Sequence, residues 1–150
     1  MRENVELKDV TAENRQAVVS LELDSEQEEL VANNAESLDE ARFDPGARPR
    51  AIYAGERIVG FLMYDAGQPG DDPRAAVIYR FMIDRTYQGK GYGRAALGKA
   101  LDEIRAIPKV SKISISYMPD NPIAQRFYAS FGFREAGIDE DGEMIAGLAL

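Results

Sequence analysis

Gly89, Gly91 and Gly93 stand between an apolar run and an amphipathic pattern, and no other feature limits the fold so tightly. Before them, Ala75-Ala76-Val77-Ile78-Tyr79-Arg80-Phe81-Met82-Ile83 has the make-up of a buried strand. After them, Leu97, Ala100, Leu101 and Ile104 recur at i, i+3, i+4 and i+7. A strand therefore feeds a glycine-rich turn that opens a helix. Such a turn gathers backbone N–H groups and the positive end of the helix dipole at one spot, which suits a phosphate. Two familiar phosphate motifs are excluded by spacing. A dinucleotide fingerprint needs a third glycine where Arg94 stands, and a P-loop needs Ser or Thr after Gly-Lys, where Gly91 stands.

Composition narrows the chemistry. At 150 residues the chain is read as one domain with a real core. It has no cysteine and no histidine, so a disulfide, a thiolate nucleophile and the usual general base are all missing, and no metal is expected. The net charge of -8 argues against nucleic acid or an anionic membrane as partner and favours a cationic substrate. The first residues, Met1-Arg2-Glu3-Asn4-Val5-Glu6, lack an apolar signal core, and no apolar run reaches membrane-spanning length. A cytoplasmic location is expected.

Taken in order, Val5, Leu7 and Val10 suggest a first strand, and Thr11 an N-cap for a helix carrying Ala17, Val18 and Leu21. Residues 22–40 hold eight acids and no Lys or Arg, and read as one or two short helices. Arg50–Ala54 and Arg57–Tyr64 read as a hairpin turning at Gly55-Glu56. Pro108 ends the helix after the glycine loop, and Lys112–Tyr117 alternates as a strand. Asn121 with Pro122 starts the next helix, Gly132 stops it, and strands from Phe133 and from Glu143 to Leu148 complete a sheet.

Gln88, Gly91 and Gly93 fit Gln-x-x-Gly-x-Gly, and this loop resembles the acyl-CoA pyrophosphate loop of the GNAT superfamily of N-acetyltransferases. Asn121, Ala124, Tyr128, Gly132 and Phe133 resemble the family's Asn-x-x-Ala-x-x-x-Tyr-x-x-x-Gly-Phe segment. The resemblance implies an α/β (α+β) GNAT fold over residues 1–150. Its central sheet is mixed and mostly antiparallel, with six to seven strands, about four flanking helices, and a splay between the strands at 75–84 and 112–117. It implies acetyl-CoA as co-substrate, its pantetheine arm lying along Phe81, Met82 and Ile83. The phosphates fall to Gln88, Gly89, Lys90, Gly91, Tyr92, Gly93 and Arg94. Asn121 takes a mixed role, capping its helix and touching CoA. The basic residues Arg80, Arg85, Lys90, Arg94 and Lys99 are expected to form the local positive patch an acidic protein needs.

Acetyl transfer to an amine needs a neutral amine, a stabilised carbonyl oxygen and a proton for the departing thiolate. The resemblance gives Tyr128 the proton-donor role, although Ala124, Phe127, Tyr128 and Phe131 also have the spacing of a core face. The chain departs from a common pattern at Val77-Ile78-Tyr79-Arg80, where many members place a Glu base. The proton must leave through water, through a phenol such as Tyr79, or through a carboxylate on another element. Val10–Arg15, Glu36–Ala41, Ile58–Tyr64 and Arg80–Gly91 further resemble bacterial spermine/spermidine (diamine) acetyltransferases. A polyamine is thus the expected acceptor, with Glu22, Asp24, Glu26, Glu28 and Tyr79 as candidate contacts. Other acceptors fit the same chemistry: another small amine, an aminoglycoside or a peptide N-terminus. A non-catalytic acyl-CoA sensor is the alternative of a different class. The family tendency to dimerise adds an expected homodimer.

Overall fold

The computed structural model describes residues 4–22, 34–43, 46–66 and 74–150. One seven-stranded sheet runs β1 (Val5–Asp9), β2 (Ala47–Ala54), β3 (Arg57–Ala66), β4 (Ala75–Ile83), β5 (Lys112–Tyr117), β7 (Met144–Ala149), β6 (Arg134–Ile138) from edge to edge. Only β4 and β5 pair parallel; every other neighbouring pair is antiparallel. The described helices are α1 (Arg15–Val19), α2 (Asn34–Ala41), α3 (Tyr92–Arg105) and α4 (Pro122–Ala129). This is the mixed, mostly antiparallel architecture expected from the sequence.

Each face of the sheet carries its own core. Ala96, Leu97, Ala100, Leu101 and Ile104 of α3 are buried against Ile52, Leu62, Ile78 and Ile113 on one face. The i, i+3, i+4, i+7 stripe is therefore the packed side of that helix, and each fully buried Leu or Ile contributes about 1.5–3 kcal/mol. On the other face, Val18 of α1 and Leu38 of α2 pack with Ala51, Phe61, Met63 and Met82.

Two bulges set which residues face which core. In β3, Val59 is unpaired between Gly60, opposite Ile52, and Ile58, opposite Tyr53. In β4, the register skips Tyr79, which lies between Ile78, opposite Tyr64, and Arg80, opposite Met63. An extra residue reverses the two-residue alternation of a strand. Ala76 and Ile78 thus join the α3 core, while Arg80 and Met82, of the same parity, turn toward α1 and α2. Phe81 and Ile83 take over the α3 side.

Several local expectations shift. β1 ends at Asp9, short of Val10. Thr11 does not cap α1: its own N–H is bonded by Asn14 Oδ1 at 2.7 Å, and the helix begins at Arg15. The Asn side chain reaches back and fixes the preceding turn. β2 begins at Ala47, not Arg50, and includes Pro49. The β1–β2 ladder stops at Arg50, so Pro49 lies where β2 has no partner on that side and a missing N–H costs nothing. β6 begins one residue after Phe133, and β7 spans Met144–Ala149 instead of 143–148.

Gly60 lies where the sheet cannot hold a side chain. A Cβ there would meet the Met82 carbonyl oxygen at 2.4 Å and Ile83 Cδ1 at 2.9 Å. The first obstacle is backbone and cannot swing aside. Gly60→Ala is therefore expected to lower unfolding stability by about 2–3 kcal/mol, read as a fall in the urea midpoint with an unchanged slope.

Candidate functional site

The site is built where the sheet opens. β4 and β5 pair at only three positions: Ala75 with Lys112, Ala76 with Ile113, and Val77 with Ser114. Beyond them each strand continues without the other, β4 to Ile83 and β5 to Tyr117. A cleft of about 550 Å³ fills the space between the end of β4, the start of α3 and α4. Phe81, Met82, Ile83, Gln88, Gly89, Gly91, Tyr92, Gly93, Arg94, Asn121 and Tyr128 all line it. Residues expected from two distant motifs thus meet in one cavity, and Lys90 alone of the expected ligand residues lies outside its lining.

The glycine loop is held from behind. Asp84 Oδ1 accepts from the Thr86 N–H at 2.9 Å and starts a 3₁₀ turn over Arg85–Tyr87. Gln88 Nε2 donates to the Ile83 carbonyl at 2.9 Å, so Gln88 shapes the loop and its amide is partly spent on backbone. Gly89 has φ 77° and Gly91 φ 87°, the left-handed region that favours glycine. A Cβ at either would meet nothing within 4 Å, so the backbone there faces open space. Gly91 is the N-cap of α3 and supplies no side-chain cap. The first-turn N–H groups therefore keep free capacity directed at the cleft mouth, the arrangement that receives an anion. A pyrophosphate group fits this cradle.

The expected five-cation patch is not assembled. Arg80 is buried on the opposite face of the sheet, its Nε donating to Asn34 Oδ1 at 3.2 Å. Burial lowers its pKa, against the attraction of Glu36. Arg85 pairs with Glu22 at 2.9 Å. Lys99 lines a different depression, with Glu6, Leu7, Asp102 and Glu103. Lys90 and Arg94 remain at the loop. Arg94 donates from Nη2 to Ser130 Oγ at 2.9 Å, and its guanidinium lies 5.5 Å and 4.9 Å from the Phe127 and Phe131 ring centres. It thus ties the start of α3 to α4 while lining the cleft.

α4 carries the other wall. Asn121 Oδ1 accepts from the Ala124 N–H at 3.1 Å, and Pro122 follows at the start of the helix. Gly132, with φ 99°, turns the chain out at the far end. The cap role of Asn121 is therefore met, and the residue still lines the cleft. Tyr128 is half-buried in an aromatic cluster. Its ring stacks on Tyr117 at 5.8 Å and 18°, and meets the edges of Phe127 at 5.2 Å and Phe133 at 5.9 Å. Burial, with a smaller contribution from Tyr117, pushes its phenol up to about 12. The hydroxyl is thus held protonated at neutral pH, as a proton donor must be.

The acceptor candidates separate. Asp24, Glu26 and Glu28 lie outside the described residues. Glu22 is clamped at the edge of the site: its N–H donates to Asp84 Oδ2 at 2.8 Å, its carbonyl accepts from the Arg85 N–H at 2.7 Å, and its carboxylate holds Arg85. That ion pair sets the Glu22 carboxylate against Arg85. Tyr79, on the β4 bulge, is 55% exposed and lines a smaller hollow of about 240 Å³ with Glu40, Ala41, Ala47 and Met63. Tyr64 is buried, and its hydroxyl donates to Glu103 at 2.8 Å.

Sequence reasoning missed Tyr87, Ile123, Ala124 and Phe127 as cleft-lining residues. For Ala124 and Phe127 the signal was present, since the stripe Ala124, Phe127, Tyr128 has the spacing of a core face. The stripe does pack, but part of what it packs around is the cleft. Among the described residues no cluster of three or more acids could hold a metal, and no helix is long and apolar enough to cross a membrane.

The chain was also compared with known proteins. A model described as the acetyltransferase (GNAT) family matches residues 10–133. The chain is 30% identical over 146 residues to the spermine/spermidine N(1)-acetyltransferase of Bacillus subtilis (strain 168), covering 95% of this chain and 96% of that protein. Among solved structures, an acetyltransferase from Thermus thermophilus superposes with TM-score 0.75 at 21% identity, covering 100% of both chains. The aminoglycoside acetyltransferase AAC(6')-Ib, in complex with coenzyme A, superposes with TM-score 0.81 at 18% identity, covering 97% of this chain and 95% of that one.

The loop geometry carries a direct test. Gly91→Val places a branched side chain at φ 87° and in the open space of the cradle. It is expected to weaken CoA binding at least about 100-fold by calorimetry, with folding retained, because strain and blocked backbone approach act together. Binding at wild-type strength by the folded variant would remove the loop from the phosphate site.

Proposed function

The chain belongs to the acetyltransferase (GNAT) family, and on that footing we propose that it moves the acetyl group of acetyl-CoA to a primary amine of a polyamine within a ternary complex. The observation that carries this is the meeting of the open glycine loop and the Tyr128 phenol in one cleft. The loop and the first turn of α3 bind the pyrophosphate through backbone N–H groups, with Lys90 and Arg94 alongside. The arm of the co-substrate then runs down the splay past Phe81, Met82 and Ile83. Its thioester is brought toward Tyr128.

The neutral amine nitrogen attacks the thioester carbonyl carbon. A C–N bond forms, the C–S bond breaks, and Tyr128 gives its proton to the leaving sulfur. The amine loses its extra proton to water, and water reprotonates Tyr128. This route needs no carboxylate on β4, which has none. With no cysteine in the chain, a thioester-linked acetyl-enzyme is excluded.

The polyamine assignment rests on the spermine/spermidine relative, which aligns along nearly the whole chain, and on the net charge of -8, which attracts an extended polycation at low salt. Release of CoA thiol from acetyl-CoA should be measured with spermine, spermidine, putrescine, an aminoglycoside and a short peptide. Preferential turnover of spermine or spermidine is expected. Turnover of the aminoglycoside or peptide alone would discard the polyamine and keep the chemistry.

Tyr128→Phe is expected to lower kcat about 100-fold or more while leaving acetyl-CoA affinity within about twofold. The pH profile provides a second check. Because the phenol is raised to about 12, it keeps its proton across the working range. Wild-type kcat/KM should therefore rise as the amine deprotonates and show no descending limb up to about pH 10. A fall beginning near pH 8 would mean that the essential acid is a different group.

A further inference from the structure

We infer that Tyr117, held by Glu135, is a positioning residue that fixes the plane of Tyr128 and so aims the phenol into the cleft. This rests on the proton-donor reading of Tyr128.

Tyr117 is the last residue of β5, past the point where that strand leaves β4. β4 no longer pairs with β5 at that level. The Tyr117 ring lies flat against Tyr128, with ring centres 5.8 Å apart and planes within 18°. Its hydroxyl donates to Glu135 Oε1 at 2.9 Å, a charge-assisted bond to a residue two strands away on β6. Phe127 and Phe133 meet Tyr128 at 76° and 73°, so they touch the ring by edge contacts, while Tyr117 covers a face. Edge contacts limit sliding, and a stacked face limits tilt. Of these three aromatic neighbours only Tyr117 has a polar handle, and Glu135 grips it. Burial, with help from the Glu135 bond, pushes the Tyr117 phenol up to about 12, so it keeps the proton that the bond requires. The aim of Tyr128 is therefore set from outside its own helix.

This contact does not touch the reacting atoms, so its role must be separated from plain stability. The full chain should be assayed with acetyl-CoA and whichever amine turns over fastest. The variants are Tyr117→Phe, Glu135→Ala and Glu135→Gln, each alone and combined with Tyr128→Phe. Tyr117→Phe keeps the ring and releases the grip. Glu135→Gln keeps an oxygen that can accept the bond, and Glu135 is exposed enough to be replaced without disturbing the core.

Tyr117→Phe and Glu135→Ala are expected to lower kcat about 10-fold, with the KM for acetyl-CoA within about twofold. Glu135→Gln should restore most of the rate. On the Tyr128→Phe background neither change should cost anything further, since nothing remains to be aimed. Two results would overturn the inference: wild-type kcat in both single variants, or the same 10-fold loss with and without the Tyr128 hydroxyl. The second would reveal a general structural role. If Tyr117→Phe fails to fold, the Glu135 variants decide alone. A separate result, full activity in Tyr128→Phe itself, would bring down the proton-donor reading and this inference with it.

Discussion

The parting of β4 from β5 is the constraint on which the rest of the molecule depends. Backbone groups in a buried sheet require partners, and two neighbouring strands supply them to each other at small cost. Here the ladder lasts three residue pairs and stops, although both strands continue. A chain of rings shows what stands between them. Phe81 on β4 meets Phe127 on α4 at 6.1 Å, Phe127 meets Tyr128 at 5.2 Å, and Tyr128 meets Tyr117 on β5 at 5.8 Å. The aromatic side of α4 is thus a wedge whose two flanks are the two strands. The sheet gives up ladder bonds and gains aromatic burial, and the inner edge of β4 is left with backbone groups that an extended ligand arm can satisfy.

The bulge at Tyr79 completes this arrangement on the other face. Without it, Phe81 would face α1 and α2, and the wedge would have nothing to rest on. With it, Phe81 and Ile83 support Gly93 and the start of α3, where a Cβ on the glycine would lie 3.6 Å from Ile83 and 3.8 Å from Phe81. The same reversal turns Arg80 inward against Asn34. The stretch where the family resemblance leads one to look for a carboxylate therefore holds a strand defect and a buried cation. One extra residue in the strand accounts for both the support of the loop and the inward turn of Arg80, while β4 lacks a base simply because Ala75–Ile83 holds no carboxylate.

Legibility in the sequence followed the range of the interactions. The glycine loop, the α3 stripe, the Asn121 cap and the Gly132 stop are decided within a few residues, and each stands where periodicity and turn chemistry put it. The parting of the strands came only through the resemblance, because no local pattern encodes where two distant strands stop pairing. The fate of single charges was hidden for the same reason. Glu22 and Arg85 lie far apart in sequence, so their union could not be read from an acidic stretch or a basic one. The bulge at Tyr79 leaves no mark in the sequence, because a nearly continuous apolar run has no apolar–polar alternation to interrupt. Thr11 was misjudged because Asn14 competes for the same turn.

The redistribution of cations changes how this acidic protein must hold a phosphate-rich ligand. A five-residue basic patch would have worked through side-chain charge, at long range and with strong sensitivity to salt. With Arg80 facing the other core, Arg85 paired and Lys99 elsewhere, the proposed phosphate site has fixed backbone dipoles and only Lys90 and Arg94 of the five cations. Those dipoles act at short range, need glycine at Gly89 and Gly91 to remain uncovered, and are oriented before the ligand arrives. Such a site adds less positive charge near the cleft than a five-cation patch, only that of Lys90 and Arg94. A cationic acceptor therefore meets a molecule that is still net negative, even though it shares the cleft with a phosphate site. On the proposed reading, binding the anion through the main chain would let one small domain attract both partners.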